Sequence, residues 1–278
     1  KFETGLPPPR RKSFLEQGDT PRFLSTPPHY AYLKIAEGCK KTCSFCIIPK
    51  IKGRLQSKPI PQVVEEYTAL LDTGSVSEVI LIAQDLGDYG KDFVPSSSSS
   101  SLEKTNLRKS SRSYLTEVLQ AMLDASDEKG INDVWIRLLY LYPDEITPDL
   151  LDLMESDTRI CRYLDMPIQH SHDEILKLMR RKTTGQEIER TIRSLRQRLP
   201  GVQIRTSLMV GFPGETEEHF EHLLKFVKKQ QLDNVGVFTY SDEPLAYSSK
   251  FVNHVPEHIK QERYCRLMEA QLELVQNK

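Results

Sequence analysis

The run Glu37-Gly38-Cys39-Lys40-Lys41-Thr42-Cys43-Ser44-Phe45-Cys46 follows directly on an apolar stretch, Tyr30–Ile35. A strand that empties into a loop with three closely spaced thiols is a metal-binding arrangement. Three thiolates can hold three irons of a cubane 4Fe–4S cluster and leave the fourth iron open to a small molecule. Ferredoxin-like carriers instead supply four cysteines. Zinc takes four protein ligands, or three and a water, with C-x2-C pairs as its common spacing. Only Cys43 and Cys46 have that spacing, and no second pair accompanies them. The trio therefore points to an iron–sulfur cluster with an open iron before it points to zinc.

Working outward, short apolar runs alternate with helical patterns. Strands are expected at Tyr30–Ile35, Glu78–Ile82, Asp133–Leu138, Tyr163–Asp165, Gln203–Leu208 and Asn234–Phe238. Helices are expected at Pro61–Leu71, Tyr114–Ala125, Pro148–Met154, Asp173–Met179, Gly185–Arg198, Glu217–Lys229 and His258–Gln276. Strands separated by helix-sized crossovers imply a parallel sheet with a covered face. Six such units fit an α/β open partial (β/α)6 barrel better than a closed eight-unit one, with a doubly wound sheet as the competing topology. In the last helix, Ile259, Tyr264, Leu267, Met268 and Leu272 form the expected packing face.

The domain reading has three parts. Residues 1–28, rich in Pro, Lys and Arg, read as a linker or arm. Residues 29–250 form the barrel, interrupted at 91–113 by an insertion with the six-serine run Ser96–Ser101, whose composition cannot supply a core. Residues 251–278 form a helical extension packed on the barrel.

The 278-residue chain carries a formal charge of -1, so it is not an obvious polyanion binder as a whole. Residues 1–60 nevertheless hold twelve Lys or Arg against four Asp or Glu. Basic density recurs at Lys177, Arg180, Arg181 and Lys182. A solvated surface, an anionic partner or ligand, and a field acting on the cluster all account for it. Five cysteines do not make a disulfide framework, and Cys161 and Cys265 read as structural thiols. An oxygen-sensitive cluster needs a reducing compartment, and no signal peptide or membrane-spanning run is present in the sequence. The expectation is a soluble cytoplasmic protein, monomeric and without membrane contact.

The remaining candidate residues lie where strands end. Phe45 can cover a planar ligand or pack beside the cluster. Gln84 and Asp85 can accept hydrogen bonds from an ammonium or ribose hydroxyls, or cap the strand–loop junction. Arg137 can meet a ligand carboxylate or hold Asp85 or another structural acid. His170, in Pro167-Ile168-Gln169-His170, can orient a substrate or serve as an ordinary buried loop histidine. Strand period two puts Arg205 and Ser207 on one face and Thr206 on the other, so one of these faces reaches the pocket. No general-base constellation of a hydrolase accompanies them.

On these residues the chain resembles the radical S-adenosylmethionine superfamily and, within it, the methylthiotransferases. Cys39, Cys43 and Cys46 match the family's cluster cysteines. The segments His29–Ile35, Cys46-Ile47-Ile48-Pro49, Gln84-Asp85 with Tyr89-Gly90, Pro167–His170 and Val210–Thr216 resemble the branch that modifies an aspartate in a small-subunit ribosomal protein. The related transfer-RNA enzymes usually have Gln-Asn in place of Gln84-Asp85. The resemblance implies a catalytic and metal-binding role for the three cysteines. It also implies S-adenosylmethionine as cofactor, in reach of Phe45, Gln84, Asp85, Arg137, Arg205 and Ser207, with His170 orienting the substrate.

The implied reaction adds a methylthio group to the aspartate β-carbon, drawing on a reducing electron donor and a sulfur-delivery partner. Methylthiolation of transfer-RNA adenosine, and a noncatalytic iron–sulfur interaction module, are the competing readings. Family members hold a second 4Fe–4S cluster on three further cysteines in an amino-terminal domain, and they end in a small β-rich domain. No cysteine precedes Cys39. One cluster is expected in this chain, which reads as a central catalytic fragment, with the second cluster only in the amino-terminal domain.

Overall fold

The computed structural model describes residues 24–93 and 112–277. Its main sheet is built from β1 (Tyr30–Lys34), β4 (Glu78–Ile82), β5 (Trp135–Leu138), β6 (Ile160–Asp165), β7 (Gln203–Val210) and β8 (Asn234–Thr239). Between β1 and β4 lie two two-residue strands, β2 (Ala36–Glu37) and β3 (Gln56–Ser57), which pair antiparallel. All neighbours in the main sheet run parallel, in the order β1-β4-β5-β6-β7-β8. Each strand is added beside the one before it, so the sheet has no point at which strand order reverses. That excludes the doubly wound topology and leaves the partial (β/α)6 barrel.

Among the described residues eight α-helices accompany the strands: α1 (Ile48–Ile51), α2 (Ile60–Leu71), α3 (Leu115–Glu128), α4 (Pro148–Ser156), α5 (Asp173–Leu178), α6 (Gly185–Arg198), α7 (Glu217–Gln230) and α8 (Glu257–Gln276). Their starts are written in local chemistry. Thr184 and Thr216 head capping boxes with Glu187 and His219, and Thr147 caps α4 with Pro148 at its first position. One face of the sheet is buried beneath the helices: Ala31, Leu33, Val79, Leu81, Ile136, Leu138, Ile204 and Leu208 have no exposed surface. The alternate residues form the inner face of the barrel, where Tyr32, Trp135 and Phe238 remain exposed. This alternation follows from the two-residue period of a strand covered on one side only.

Of the packing face expected on α8, Leu267 lies in the core and Tyr264 and Met268 pack against it, while Ile259 is only partly buried and Leu272 is 57% exposed. The buried seam against α7 and β8 is Lys260, Arg263, Leu267, Ala270 and Gln271. Lys260 donates to the Tyr240 carbonyl, Gln271 to those of Leu232 and Asp233, and Arg263 to Glu215 and Glu217. Polar side chains are tolerated there because loop carbonyls and carboxylates satisfy them. Of the insertion expected at 91–113, Lys91 is buried and Phe93 packs edge-on between Tyr89 and Tyr114. The serine run lies outside the described residues, as do all but 24–28 of the expected arm. No described helix is long and apolar enough to cross a membrane.

Candidate active site

The cysteine loop leaves the carboxyl end of β1, and the β2–β3 ladder ties its two ends together. Gly38 makes the turn at φ +78°, where a Cβ would lie 2.3 Å from the Arg54 carbonyl oxygen. The Cys39 N–H then donates to Gly53 O (3.2 Å). Ser44 fastens the far side. Its N–H donates to Met179 O (3.1 Å), its hydroxyl to Leu178 O (2.7 Å), and its carbonyl accepts from Ser248 N. Phe45 packs edge-on against Phe212, with Ile175, Met179 and Tyr240 in the same small apolar cluster.

Each of the three sulfurs has a donor beside it. Cys39 Sγ accepts from Lys41 N (3.4 Å) and Cys46 Sγ from Ile48 N (3.5 Å). Cys43 Sγ lies 3.4 Å from the Tyr142 hydroxyl and 3.8 Å from Arg181 Nη1. Burial pushes the Cys39 thiol up to about 11 and raises that of Cys46 as well. A bound cation offsets that burial cost and favours the thiolate form, as at metal sites. Hydrogen bonds to sulfur are also what adjusts a cluster's potential. The donor set thus fits a cubane held by three cysteines. Cys161 lies in β6 near Arg137 and Glu78, and Cys265 is exposed on α8, so neither belongs to the trio.

Lys41, between the first two cysteines, enters a buried charge network. Its Nζ lies 2.6 Å from Glu145, 3.2 Å from Asp85 and 3.4 Å from Asp88. Lys91 bonds to Asp88 (3.0 Å) and to Glu145. Three carboxylates thus share the ammonium groups of Lys41 and Lys91, and the exposed Lys40 adds a third, 3.7 Å from Asp88. Burial pushes the Asp85 carboxyl up to about 7 against the pull of Lys41, and repulsion from Asp88 and Glu145 adds to the rise. For Lys41, burial opposes the charge, but Asp85, Glu145 and Asp88 outweigh it and hold the ammonium protonated.

Three expected site residues are occupied otherwise. Asp85 caps a 3-10 turn, accepting from Gly87 N (3.0 Å) while facing Lys41. Its place at the strand end is the one anticipated, but its carboxylate is engaged within the protein. Arg137 bonds to Glu78, at the amino-terminal end of β4, and lies over the Tyr163 ring. Of the pairings left open for it, the structural one is observed, and the acid is Glu78 rather than Asp85. His170 has no exposed surface, and its Nδ1 accepts from His172 N (3.0 Å). Burial, and then the imidazoles of His172, His219 and His222, hold it well below the usual histidine range. The ring is thus buried, and its Nε2 has no hydrogen-bond partner.

Other expected residues face the site. Gln84 donates to Glu37 Oε1 (3.2 Å), while its own Oε1 is buried without a partner. Burial opposes the Glu37 charge, yet Lys34 and Lys52 hold its carboxyl below the usual range. Arg205 and Ser207 lie on the inner face, and Thr206 is buried beneath the helices, bonded to Met166 O (2.8 Å). Arg205 donates to Asp165 Oδ2 (2.7 Å), and Asp165 Oδ1 is left buried without a partner. Lys41, Ser44, Tyr142, Arg181 and Glu145 were not singled out from sequence as site residues. Their roles arise from contacts 99 to 138 residues apart, which no local pattern records.

Residues 33–227 match the family model described as the radical SAM superfamily. Among curated relatives, the "Ribosomal protein uS12 methylthiotransferase RimO" of Protochlamydia amoebophila is 51% identical over 264 residues, covering 95% of this chain and 51% of that protein. The proteins of the same name from Chlamydia abortus and Heliobacterium modesticaldum are 49% and 42% identical. They cover 94% and 98% of this chain, against 52% and 54% of their own lengths. The chain thus spans about half the length of the curated relatives it matches. Among solved structures, the radical S-adenosylmethionine methyltransferase TsrM from Kitasatospora setae superposes with a TM-score of 0.59 at 17% identity, covering 79% of this chain and 38% of that one. Coproporphyrinogen III oxidase (HemN) from Escherichia coli gives 0.55 at 17%, covering 91% and 54%. At these identities the likeness is one of fold.

Proposed function

The chain belongs to the radical S-adenosylmethionine superfamily, and we propose that it is the catalytic barrel of a methylthiotransferase acting on an aspartate β-carbon of ribosomal protein uS12. The observation that carries this reading is the cysteine loop. Three thiols, Cys43 buried and Cys39 and Cys46 partly so, each with a hydrogen-bond donor beside it, are presented beyond the carboxyl end of β1. The 42–51% identity to proteins named for that activity supports the substrate.

When bound, a 4Fe–4S cluster supplies the electron that cleaves the sulfonium of S-adenosylmethionine, releasing a radical able to take hydrogen from an unactivated carbon. The rest falls to the residues of the chain. Cys39, Cys43 and Cys46 hold the cluster, one per chain. Gln84 presents its unpartnered Oε1 to the cofactor's ammonium, beside a Glu37 kept anionic by Lys34 and Lys52. Arg205, steadied by Asp165, and Ser207 offer hydrogen bonds to the cofactor's carboxylate and ribose from the inner face. Phe45 walls the site through Phe212. His170 acts at one remove, fixing the Gln169–His172 turn through its Nδ1. Precise placement of the reacting carbon is what such a scaffold contributes. A cytoplasmic setting, an electron donor and a sulfur-delivery partner complete the reading.

The test is anaerobic iron and sulfide quantification joined to dithionite-driven formation of 5'-deoxyadenosine. The expected result is about four irons per chain with cleavage, lost together in Cys43→Ala. A uS12 loop peptide should raise cleavage where a transfer-RNA anticodon stem-loop does not. Stoichiometric zinc without iron, or cleavage intact in Cys43→Ala, refutes the proposal.

A further inference from the structure

The basic run Lys177–Lys182 finds no use in the reading above, yet it lies against the cysteine loop. Arg180, Arg181 and Lys182 line a surface cavity of about 420 Å³ together with Lys40, Cys43 and Tyr142. At its inner end is the Cys43 sulfur, with the Tyr142 hydroxyl 3.4 Å and Arg181 Nη1 3.8 Å away. The Tyr142 ring is flanked by two cations, Arg181 at 4.0 Å and Lys41 at 4.7 Å from its centre. The mouth is different in kind. Lys40, Arg180 and Lys182 stand exposed around it, with Lys177 further along α5 and Asp144 as the opposing exposed acid. Arg180, at φ 57°, is held over the Tyr247 ring at 3.6 Å, which fixes one side of the rim.

Resting on the proposed function, which consumes an electron from outside the chain, we propose that this basic rim docks an acidic one-electron carrier protein. The carrier is oxidised by one electron, and the cluster held by the three cysteines is reduced by one. No atom or proton changes hands. Three features favour this occupant. The exposed charges lining the mouth, Lys40, Arg180 and Lys182 against Asp144, leave a positive excess, which steers an acidic partner. The cavity leads from that rim to a ligand sulfur, with an aromatic ring as its wall. The cavity lining also does not include Arg205 or Ser207, the proposed cofactor contacts on the inner barrel face. A rim this small is a poor track for nucleic acid, which draws on a longer run of cations.

The experiment uses the 278-residue chain, the double variant Lys177→Glu/Lys182→Glu, and a control reversal on α6, Arg190→Glu/Arg193→Glu. The probe is a purified acidic flavodoxin, reduced by its reductase and NADPH. Its affinity for the iron-free protein is measured by calorimetry at low and physiological salt. Deoxyadenosine formation is then measured on reconstituted protein, with flavodoxin or dithionite as reductant. The rim variant should bind flavodoxin roughly tenfold more weakly, with a flatter salt dependence. Its flavodoxin-driven rate should fall in step while the dithionite-driven rate stays at the wild-type value, and the α6 control should match wild type throughout.

Unchanged flavodoxin binding in the rim variant overturns the proposal. So does an equal loss with dithionite, which would assign these lysines to the site itself. Selective loss of binding to an RNA oligonucleotide would make the rim a nucleic-acid surface and overturn it too. Absence of dithionite-driven cleavage in the wild type refutes the proposed function instead, and the binding measurement on iron-free protein still decides the docking.

Discussion

Replacing Lys41 by Met should unfold the cysteine loop's anchorage in a pH-dependent way. Lys41 is 15% exposed and faces Glu145, Asp85 and Asp88, themselves 12%, 1% and 1% exposed. The variant leaves the three carboxylates with Lys91 and the more exposed Lys40, 3.7 Å from Asp88, as their remaining close cations. Removing one partner from a buried ion pair costs about 3–5 kcal/mol, and the partial exposure of Lys41 puts it near the lower figure. For a domain of this size, about 3 kcal/mol corresponds to a fall of about 6–12 °C in melting temperature. The deficit should be greatest at pH 8. Asp85 already titrates at about 7 with Lys41 present, and losing that ammonium moves it further up. At pH 5 the surplus charge is taken up by a proton, and the deficit should shrink by about 1–2 kcal/mol. Lys41→Arg keeps the charge and should restore most of the stability. Calorimetric melting of wild type and both variants at pH 5 and pH 8 measures this. A Lys41→Met midpoint equal to wild type at pH 8, or a deficit that does not shrink at pH 5, refutes the network as drawn.

Gly38→Ala should lower stability by about 2 kcal/mol or more, combining left-handed backbone strain with the 2.3 Å approach to Arg54 O. Iron retained after reconstitution should fall with it, and wild-type iron content in the variant would count against the tight turn. Glu215 is pushed by burial, against Arg263 and two backbone N–H groups, up to about 7 from 4.5. Its folded value exceeds its free value, so its contribution is fully present below about pH 4.5 and is lost as pH rises through 7. The loss is at most about 3 kcal/mol, and Glu215→Gln should flatten that part of the urea-unfolding profile. On α8, Leu267→Ala should cost about 2–4 kcal/mol, while Leu272→Ala, at 57% exposure, should stay within about 0.5. Equal losses at the two positions would show that the seam is misplaced.

How much was legible follows the range of the interactions. All six strands of the main sheet and seven of the helices lie where periodicity and caps placed them, because burial on one side imposes a local rhythm. The order of the strands, invisible in that rhythm, needed the coordinates. The β2–β3 ladder is too short to carry a period, yet it closes the cysteine loop. Within the site, the trio was legible because its chemistry is concentrated in eight consecutive residues. Lys41 meets Glu145 across 104 positions and Cys43 meets Tyr142 across 99, so their partnership leaves no trace in spacing. On α8 the apolar residues Tyr264, Leu267 and Met268 pack as their spacing implies, but Lys260, Arg263 and Gln271 share the buried seam, satisfied by carbonyls and a carboxylate from elsewhere in the chain.

Backbone strain adds a line of argument independent of the cysteines. Tyr140 and Gln169, neither of them glycine, adopt φ 62° and 70° just beyond the carboxyl ends of β5 and β6. Such conformations persist only where surroundings over-determine them, and they gather at working sites. The constraints are visible here. Tyr140 O accepts from Leu86 N while Leu141 N donates to Asp165 O. Gln169 is clamped between Ser207 O and Met209 N. The twist at Tyr140 buries Leu141 and leaves the Tyr140 ring 43% exposed. The clamp on Gln169 extends the β6–β7 pairing beside Ser207. Both distortions fall at the end of the sheet that carries the cysteine loop, Gln84 and Asp85. Two of the four non-glycine residues with positive φ among the described residues thus sit at the end of the sheet where the proposed cofactor contacts converge.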